Sequence, residues 1–338
     1  MLMESNIVIF IYELFFAKRP NRNYVANIVG IINSQPFIIM AFINPYFVLL
    51  FKNIERDLAK FCGSLTTEDA NFNRTISREI LKTKFTFFGL AVLLFLCNYI
   101  NAVFNLKGEM KIYLVISYIL EYTNEMATTI MLLSMVTALS CHAVVSLSFI
   151  IYCIAHVICQ IRLLRYLLQD SLNNLSHSID DENYQNYIGE ILKFCAKHHN
   201  SIAYFNNYYL SLMQMPILVL TALGGVAIAV NYYFVYAKTD PFYDTTMYCN
   251  IGMSLILITT YTHYGQLLAD ESENLYNTLC DTPWIHWNKQ NRQMLQIMMV
   301  NSMEPLKISL IQGQTFNYAY NLSVLQTCYS VFTLATSL

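Results

Sequence analysis

Charge is what this 338-residue chain has little of. Asp, Glu, Lys and Arg make up 12 % of it, while 56 % is apolar; soluble domains average about 25 % charged. Six stretches carry no formal charge at all: 24–51, 85–106, 126–161, 198–237, 245–269 and 308–338. Paired cysteines are missing too. The nine cysteines are scattered singly, with no C-x-x-C and no Cys/His spacing suited to a metal, which argues against a disulfide framework, a redox centre or zinc; in apolar runs cysteine behaves as a small hydrophobe. A net charge of −2 gives no basic field for nucleic acid. Residues 1–17 are apolar but contain Glu4 and Glu13, without a basic leader or a small-x-small cleavage site, so they do not read as a signal peptide. Alternating ten-residue segments of the membrane β-barrel kind are absent as well.

What is present is a set of apolar runs long enough to cross a bilayer, for which about 20 residues suffice. Lipid forces the backbone to satisfy its own hydrogen bonds, so the runs predict helices: seven spans near 2–17, 24–51, 85–106, 118–156, 202–236, 245–265 and 308–336, with an amphipathic stretch at 270–305. Residues 1–23 read as a short or truncated first span. With a cytosolic N-terminus, the inner connections hold Lys52, Arg56, Lys60, Arg74, Arg78, Lys82, Lys84, Arg162, Arg165, Lys193, Lys197, Lys289, Arg292 and Lys307, and the outer ones only Lys18, Arg19, Arg22, Lys107, Lys111 and Lys238. The positive-inside rule then places the N-terminus in the cytosol and the C-terminus outside. Lys18 to Arg22 are the misfit, beside the weakest span. Asn73-Arg-Thr75 and Asn174-Leu-Ser176 match the glycosylation pattern but fall on the cytosolic side.

Two of the uncharged runs are too long for one crossing. Residues 126–161 would extend about 54 Å as a helix, against a hydrocarbon core of about 30 Å, and 198–237 is similarly overlong. The expectation is an all-α, seven-transmembrane protein whose spans four to six continue into a cytosolic anchor beside 270–305, able to hold subunits together. Residues 1–269 form the first six spans, and 270–338 the anchor helix and the last helix. Glu121 and Glu125 read as water-facing starters of span four, favoured by the helix dipole, and His142 and His156 as hydrogen-bonded packing residues.

The C-terminal half resembles the insect odorant receptor family. Tyr261-Thr-His-Tyr-Gly-Gln-Leu-Leu-Ala-Asp-Glu-Ser-Glu273 is similar to that family's aromatic–Gly–Gln/Asn segment with its following Glu-Ser-Glu. Asp281-Thr-Pro-Trp284 resembles its short Pro-Trp segment. Glu304-Pro-Leu-Lys-Ile308 and Ser323-Val-Leu-Gln-Thr-Cys-Tyr-Ser-Val-Phe-Thr-Leu334 resemble its Pro-Leu opening of the last helix and its closing Tyr-Ser-x-Phe-Thr-Leu. Upstream, Cys195-Ala-Lys-His-His-Asn200 is also similar. The motifs cover about 160–338 in the family's order; the rest agrees by topology only.

The resemblance implies a subunit of a tetrameric, odorant-opened cation channel. It implies a plasma-membrane location in olfactory neuron dendrites, a common co-receptor as partner and no cofactor. The chain lacks the co-receptor's long intracellular insertion, so it is similar to a tuned subunit. A pore helix needs one wet face. In the last span Ser323, Thr327, Ser330, Leu334 and Ser337 recur at i, i+4, i+7, i+11 and i+14. Leu334 falls where the family places an apolar constriction, and Ser337 where it places a polar ring. The alternative use of those hydroxyls is bonding back to their own helix. The family's ligand region, among spans two to six in the outer half of the membrane, corresponds here to Phe37, Met40, Phe95, Tyr99, Tyr122, Met126, Ile130, Tyr232, Met247 and Met253. Aromatic and methionine side chains suit small apolar ligands, and plain core packing is the competing use of each. Tyr261, His263, Tyr264 and Gln266, with Asp270, Glu271 and Trp284 beyond, mark a junction that either couples span six to the last helix or forms an interfacial belt.

Three other classes fit less well. A rhodopsin-like receptor has the opposite orientation, and Asn44-Pro-Tyr46 lacks the further Tyr, with Val48 in its place. A secondary transporter predicts internal repeats, and a membrane enzyme a cluster of nucleophile, base or metal ligands; neither pattern is visible. A gustatory-type channel of the same superfamily is the remaining alternative, and the Tyr-Ser-x-Phe-Thr-Leu ending favours the odorant branch.

Overall fold

A computed structural model of the chain describes residues 70–107, 148–169, 182–236, 241–310 and 313–337, with Asn53, Arg56, Ser134 and Thr137 besides. The described residues are helical apart from short turns and one isolated bridge between Ser309 and Thr315. The helices are α1, Ala70–Lys107; α2, described over Ser148–Gln169; α3, Glu182–Phe205; α4, Gln214–Tyr236; α5, Pro241–Cys280; α6, Lys289–Ser302; and α7, Tyr318–Ser337. The first two expected spans, and Glu121, Glu125 and His142, lie outside the described residues.

Helix α2 is the axis of the fold. Ile150, Ile151, Cys153, Ile154, Ile161, Leu164 and Leu168 are all fully buried. At about 100° per residue these positions cover an arc of about 160°, a broad apolar face turned into the core. Helix α1 is the contrast. Its first half carries Arg74, Arg78, Glu79, Lys82 and Lys84, and its uncharged half presents Phe85 (66 % exposed) and Phe88 (69 %) to the outside. Apolar rings at that exposure over a membrane-length helix suit contact with lipid. By length and composition, Phe72–Cys97, Ser148–Gln169 and Gln214–Tyr233 can each cross a membrane.

Helices α3 and α4 form one rod with a joint. A π turn occupies Asn206–Leu210, and α4 restarts at Gln214. Pro216 explains the restart: it has no amide hydrogen and its ring clashes with the carbonyl four residues back, so it is tolerated only in a first turn. Helix α4 meets α7 through Gly225, whose missing side chain lets Cys328 and Val324 approach; the Cys328 thiol reaches the Gly225 carbonyl at 3.5 Å. Close approach over small residues is how membrane helices associate without a hydrophobic drive.

Helix α5 begins on Pro241, where a missing amide costs nothing, and runs 40 residues to Cys280. At about 1.5 Å per residue it is about 60 Å long, twice the hydrocarbon core, so one end stands clear of the membrane. The 269/270 division falls inside it. Pro283 then turns the chain, and Trp284–His286 make a 3-10 turn. Asn288 caps α6, its side chain accepting from the Asn291 amide at 2.8 Å.

Gln185 joins α3 to that turn: its Nε2 donates to the His286 carbonyl at 3.0 Å and its Oε1 accepts from the Asn288 amide at 2.8 Å, while Asn291 Nδ2 donates to the Gln185 carbonyl at 2.8 Å. Nearby, buried His199 shares a hydrogen bond of 3.3 Å with Ser302 on α6. Burial, and secondarily the charge of His198, holds the His199 pKa below its ordinary 6.5. The unfolded chain thus binds this proton more readily, so the stabilisation is complete above about pH 6.5 and is lost as pH falls through the folded value. Lowering pH from about 7.5 to about 5.5 is therefore expected to reduce the thermal unfolding midpoint of the detergent-solubilised protein. His199→Asn should shrink that pH difference; an undiminished difference would place the effect elsewhere.

The last helix departs from the sequence expectation. The run 308–336 is not one helix: α7 starts at Tyr318. Before it the chain is extended and folds back on itself, with the Phe316 amide donating to the Ile308 carbonyl at 2.9 Å and the Leu310 amide to the Gln314 carbonyl at 2.6 Å. Gly313, at φ 76°, supplies the left-handed residue of the turn. Ile308, Leu310 and Phe316 are buried in the main core, so their hydrophobicity serves a plug and not a span. Pro305 lies in this extended segment, so the Pro-Leu pair does not open α7.

Candidate functional site

Asn317 caps α7, its Oδ1 accepting from the Tyr320 amide at 3.0 Å. From that fixed start the register of the whole helix follows. One face packs inward: Val324 and Cys328 on Gly225, and Phe332 edge-on to Tyr232 (4.5 Å between ring centres) and Tyr236 (5.5 Å) on α4. At about 100° per residue, positions 323, 327, 330, 334 and 337 share an arc of about 80° on a different face. Ser323, Thr327 and Ser330 there are exposed, and their hydroxyls donate to the carbonyls of Tyr320, Ser323 and Gln326 at 2.8, 2.8 and 2.9 Å. Both sequence readings therefore apply at once. The donors are spent within the helix, while the oxygens keep acceptor capacity on a face the subunit leaves open. Leu334 and Ser337 stand in the last turns of α7; their side-chain placement lies outside what the structure describes.

At its base α7 is bound to α5. Tyr318 and His263 share a hydrogen bond and stack at 6.1 Å, and Asn321 Nδ2 donates to Thr259 at 3.3 Å. Tyr261 and Tyr264 are buried, and the Tyr261 ring lies 6.3 Å from that of Phe316, the residue just before the Asn317 cap. Gly265 permits this approach: a methyl group there would land on the Phe316 carbonyl oxygen.

Nearly two helical turns further along α5, Glu271 is buried and holds two guanidinium groups of α2. Arg162 Nε donates to it at 2.8 Å and Arg165 Nη1 at 2.9 Å; Arg162 Nη1 also reaches Glu79 on α1 at 3.2 Å, and Glu79 pairs with Lys82 at 2.6 Å. Three helices thus meet in one ion-pair node. Glu271 was legible as an acidic motif residue, but its partners were not: Glu79 and Arg162 are 83 positions apart, and Arg162 and Glu271 109. A second polar chain was missed for lack of any formal charge. His198 Nε2 meets Gln160 Oε1 at 2.9 Å, and Gln160 Nε2 meets His156 at 3.2 Å. This places His156 in a hydrogen-bonded packing role. Asp270 is exposed and accepts from Gln266 at 2.7 Å, and Trp284 is 45 % exposed on the turn after α5.

The ligand-region residues divide. Met247 and Met253 are buried on α5; Phe95 and Tyr99 lie exposed on α1, which meets α5 through the Cys97 thiol at 3.5 Å from Asn250. Tyr232 carries its ring onto Phe332 of α7. Phe37, Met40, Tyr122, Met126 and Ile130 lie outside the described residues.

Helices that outreach the bilayer, a capped terminal helix with an open hydroxyl face, and an aromatic junction at its base define a polytopic helical membrane protein. Solved structures of the same fold are the insect olfactory receptor OR5 from Machilis hrabei, at TM-score 0.73 and 13 % identity over 96 % of this chain and 84 % of that one, and the same receptor in complex with eugenol, at TM-score 0.69 and 12 % identity over 97 % and 84 %. Residues 34–329 match the family described as 7tm Odorant receptor, and the chain belongs to that family. No curated protein matches it in sequence.

Proposed function

We propose that the chain is a tuned odorant receptor subunit: a non-selective cation channel, gated by a volatile ligand, that works in a tetramer with a co-receptor. The observation that carries this reading is the open face of α7. A helix packed on one side by Gly225 and Tyr232, with Ser323, Thr327 and Ser330 exposed on another, suits a shared central conduit completed by other subunits. The stripe carries no acidic residue, which favours passage of hydrated cations with weak selectivity. Leu334 then forms an apolar ring that closes by dewetting, with Ser337 outside it.

Odorant binds among the outer halves of the helices, where Met247 and Met253 line α5, and Tyr232 relays the change to Phe332, two residues before Leu334. The eugenol bound by the Machilis receptor fits a small aromatic volatile as the ligand class. Binding opens the channel only insofar as ligand prefers the open state. The N-terminus is cytosolic, and the free ends of α3 and α5 with α6 form the anchor. There Ile285 (71 % exposed), Ile297 (61 %), Val300 (71 %) and Met303 (71 %) offer apolar surface to a neighbouring subunit.

The test is expression with and without the co-receptor while recording cation current across a volatile panel. Current only with both subunits is expected; a response that needs G protein, or none with any partner, would end the reading. Leu334→Ser is expected to leak without ligand, and an unchanged closed state would remove Leu334 as the gate.

A further inference from the structure

Between α1, α2 and α5, outside the region assigned to odorant, lies a cleft of about 580 Å³. Its position is unusual along all three helices: it lies where their charged segments give way to apolar ones. Glu79 and Lys82 line it from α1, Arg162 from α2, and Leu255, Ile256 and Thr259 from α5. Glu79 holds both cations, Lys82 at 2.6 Å through one oxygen and Arg162 at 3.2 Å through the other. An ammonium group has three donors and a guanidinium five, so both cations keep donors free after these bonds. Two positive groups against one carboxylate leave the cleft one unit positive, Glu271 being matched by Arg165. Thr83, Thr86 and Thr260 also line the cleft, but their hydroxyls donate to backbone carbonyls of their own helices. They can thus accept from a ligand, and the charge-assisted donation falls to Lys82 and Arg162.

The apolar part of the lining is Ala155 and Ile158 on α2 and Leu255, Ile256 and Leu267 on α5, of which Ile256 is 41 % exposed. A ligand here meets a cationic end and a hydrocarbon wall together. We infer that the cleft binds the phosphate headgroup of an anionic phospholipid, with its acyl chains lying along the exposed apolar side of α1. Basic recesses between membrane helices take such headgroups, and phosphate matches the paired cations in geometry and sign. Thr259 and His263, which carry the α5 bonds to Asn321 and Tyr318, also border the cleft, so an occupied cleft braces the base of α7. That the leaflet is the cytosolic one rests on the proposed orientation; binding itself does not.

The test labels the full-length chain, using phosphatidylglycerol that carries a photoreactive acyl chain, in phosphatidylcholine nanodiscs. Label is expected on peptides containing 81–86 and 255–263. It should exceed that from the matching phosphatidylcholine probe, fall about tenfold in Lys82→Gln, as loss of one charge-assisted contact predicts, and be retained in Lys82→Arg. Equal labelling by the two lipids, or no response to Lys82→Gln with an unchanged elution profile, would reduce the cleft to ordinary annular contact and overturn the proposal. Soluble glycerol phosphate displacing the label as effectively as unlabelled phosphatidylglycerol would overturn the lipid as occupant in favour of a free anion. The readout uses neither current nor odorant, so its failure leaves the channel reading standing, and failure of the channel reading leaves it interpretable.

Discussion

Gly265→Ala is expected to silence ligand-evoked current while Gly252→Ala, on the same helix, leaves it intact. The added methyl at 265 would occupy the position of the Phe316 carbonyl oxygen, whereas at 252 nothing lies within 4 Å of it. Both changes raise helix propensity by up to about 1 kcal/mol, so propensity cannot separate them. Overpacking against backbone costs about 1–3 kcal/mol or more, and only a shift of Phe316 relieves it. Phe316 precedes the Asn317 cap, so the shift moves the first turn of α7 and loosens the Tyr318–His263 and Asn321–Thr259 bonds. Current should be compared at equal surface abundance. A Gly265→Ala channel with normal responses would show that the junction tolerates displacement and does not couple α5 to α7.

Glu271→Gln should cause the largest loss of stability among the charged positions. Its carboxylate is 11 % exposed and takes one bond from each of two arginines that are 22 % and 29 % exposed. Breaking a buried pair costs about 3–5 kcal/mol; arginines reached by water lower that to about 2 kcal/mol. The unfolding midpoint of the solubilised protein should fall by about 3 °C. Glu79→Gln should cost less, because Glu79 is 31 % exposed and one of its partners, Lys82, is 73 % exposed. A midpoint unmoved by Glu271→Gln, or moved further by Glu79→Gln, would show that the node does not join the helices.

Hydropathy found the rods because crossing a bilayer leaves a signature that accumulates over many residues: the run 85–106 became the uncharged half of α1, and the run 245–269 became part of the 40-residue α5. It erred at 308–317 for the same reason. Ile308, Leu310 and Phe316 are as apolar as a span, and only the backbone, reversed at Gly313, shows them plugging a core. The stripe on α7 was legible because 3.6-residue periodicity fixes a face from spacing alone, although which face meets α4 depended on Gly225, a residue with no pattern of its own. The ion-pair node was half legible. Glu271 stands in a motif, but nothing in one sequence says that Arg162 and Glu79 come to it. Of the Gln160 chain only His156 was legible, since an uncharged amide between two histidines is indistinguishable from filler.

The π turn at Asn206–Leu210 has a consequence for how this chain can vary. Such a turn holds one residue more than the α turn it replaces, and one residue shifts helical phase by about 100°. The hydrophobic rhythm of α3, set by Tyr184, Ile188, Leu192 and Cys195 against its neighbours, is thereby released from that of α4. The α3 half can keep a fixed footing on α6 while the α4 half drifts in sequence, the surplus residue absorbing the mismatch between them. Deleting one position there would restore a uniform winding and rotate the two halves into a shared phase, the arrangement the present sequence avoids.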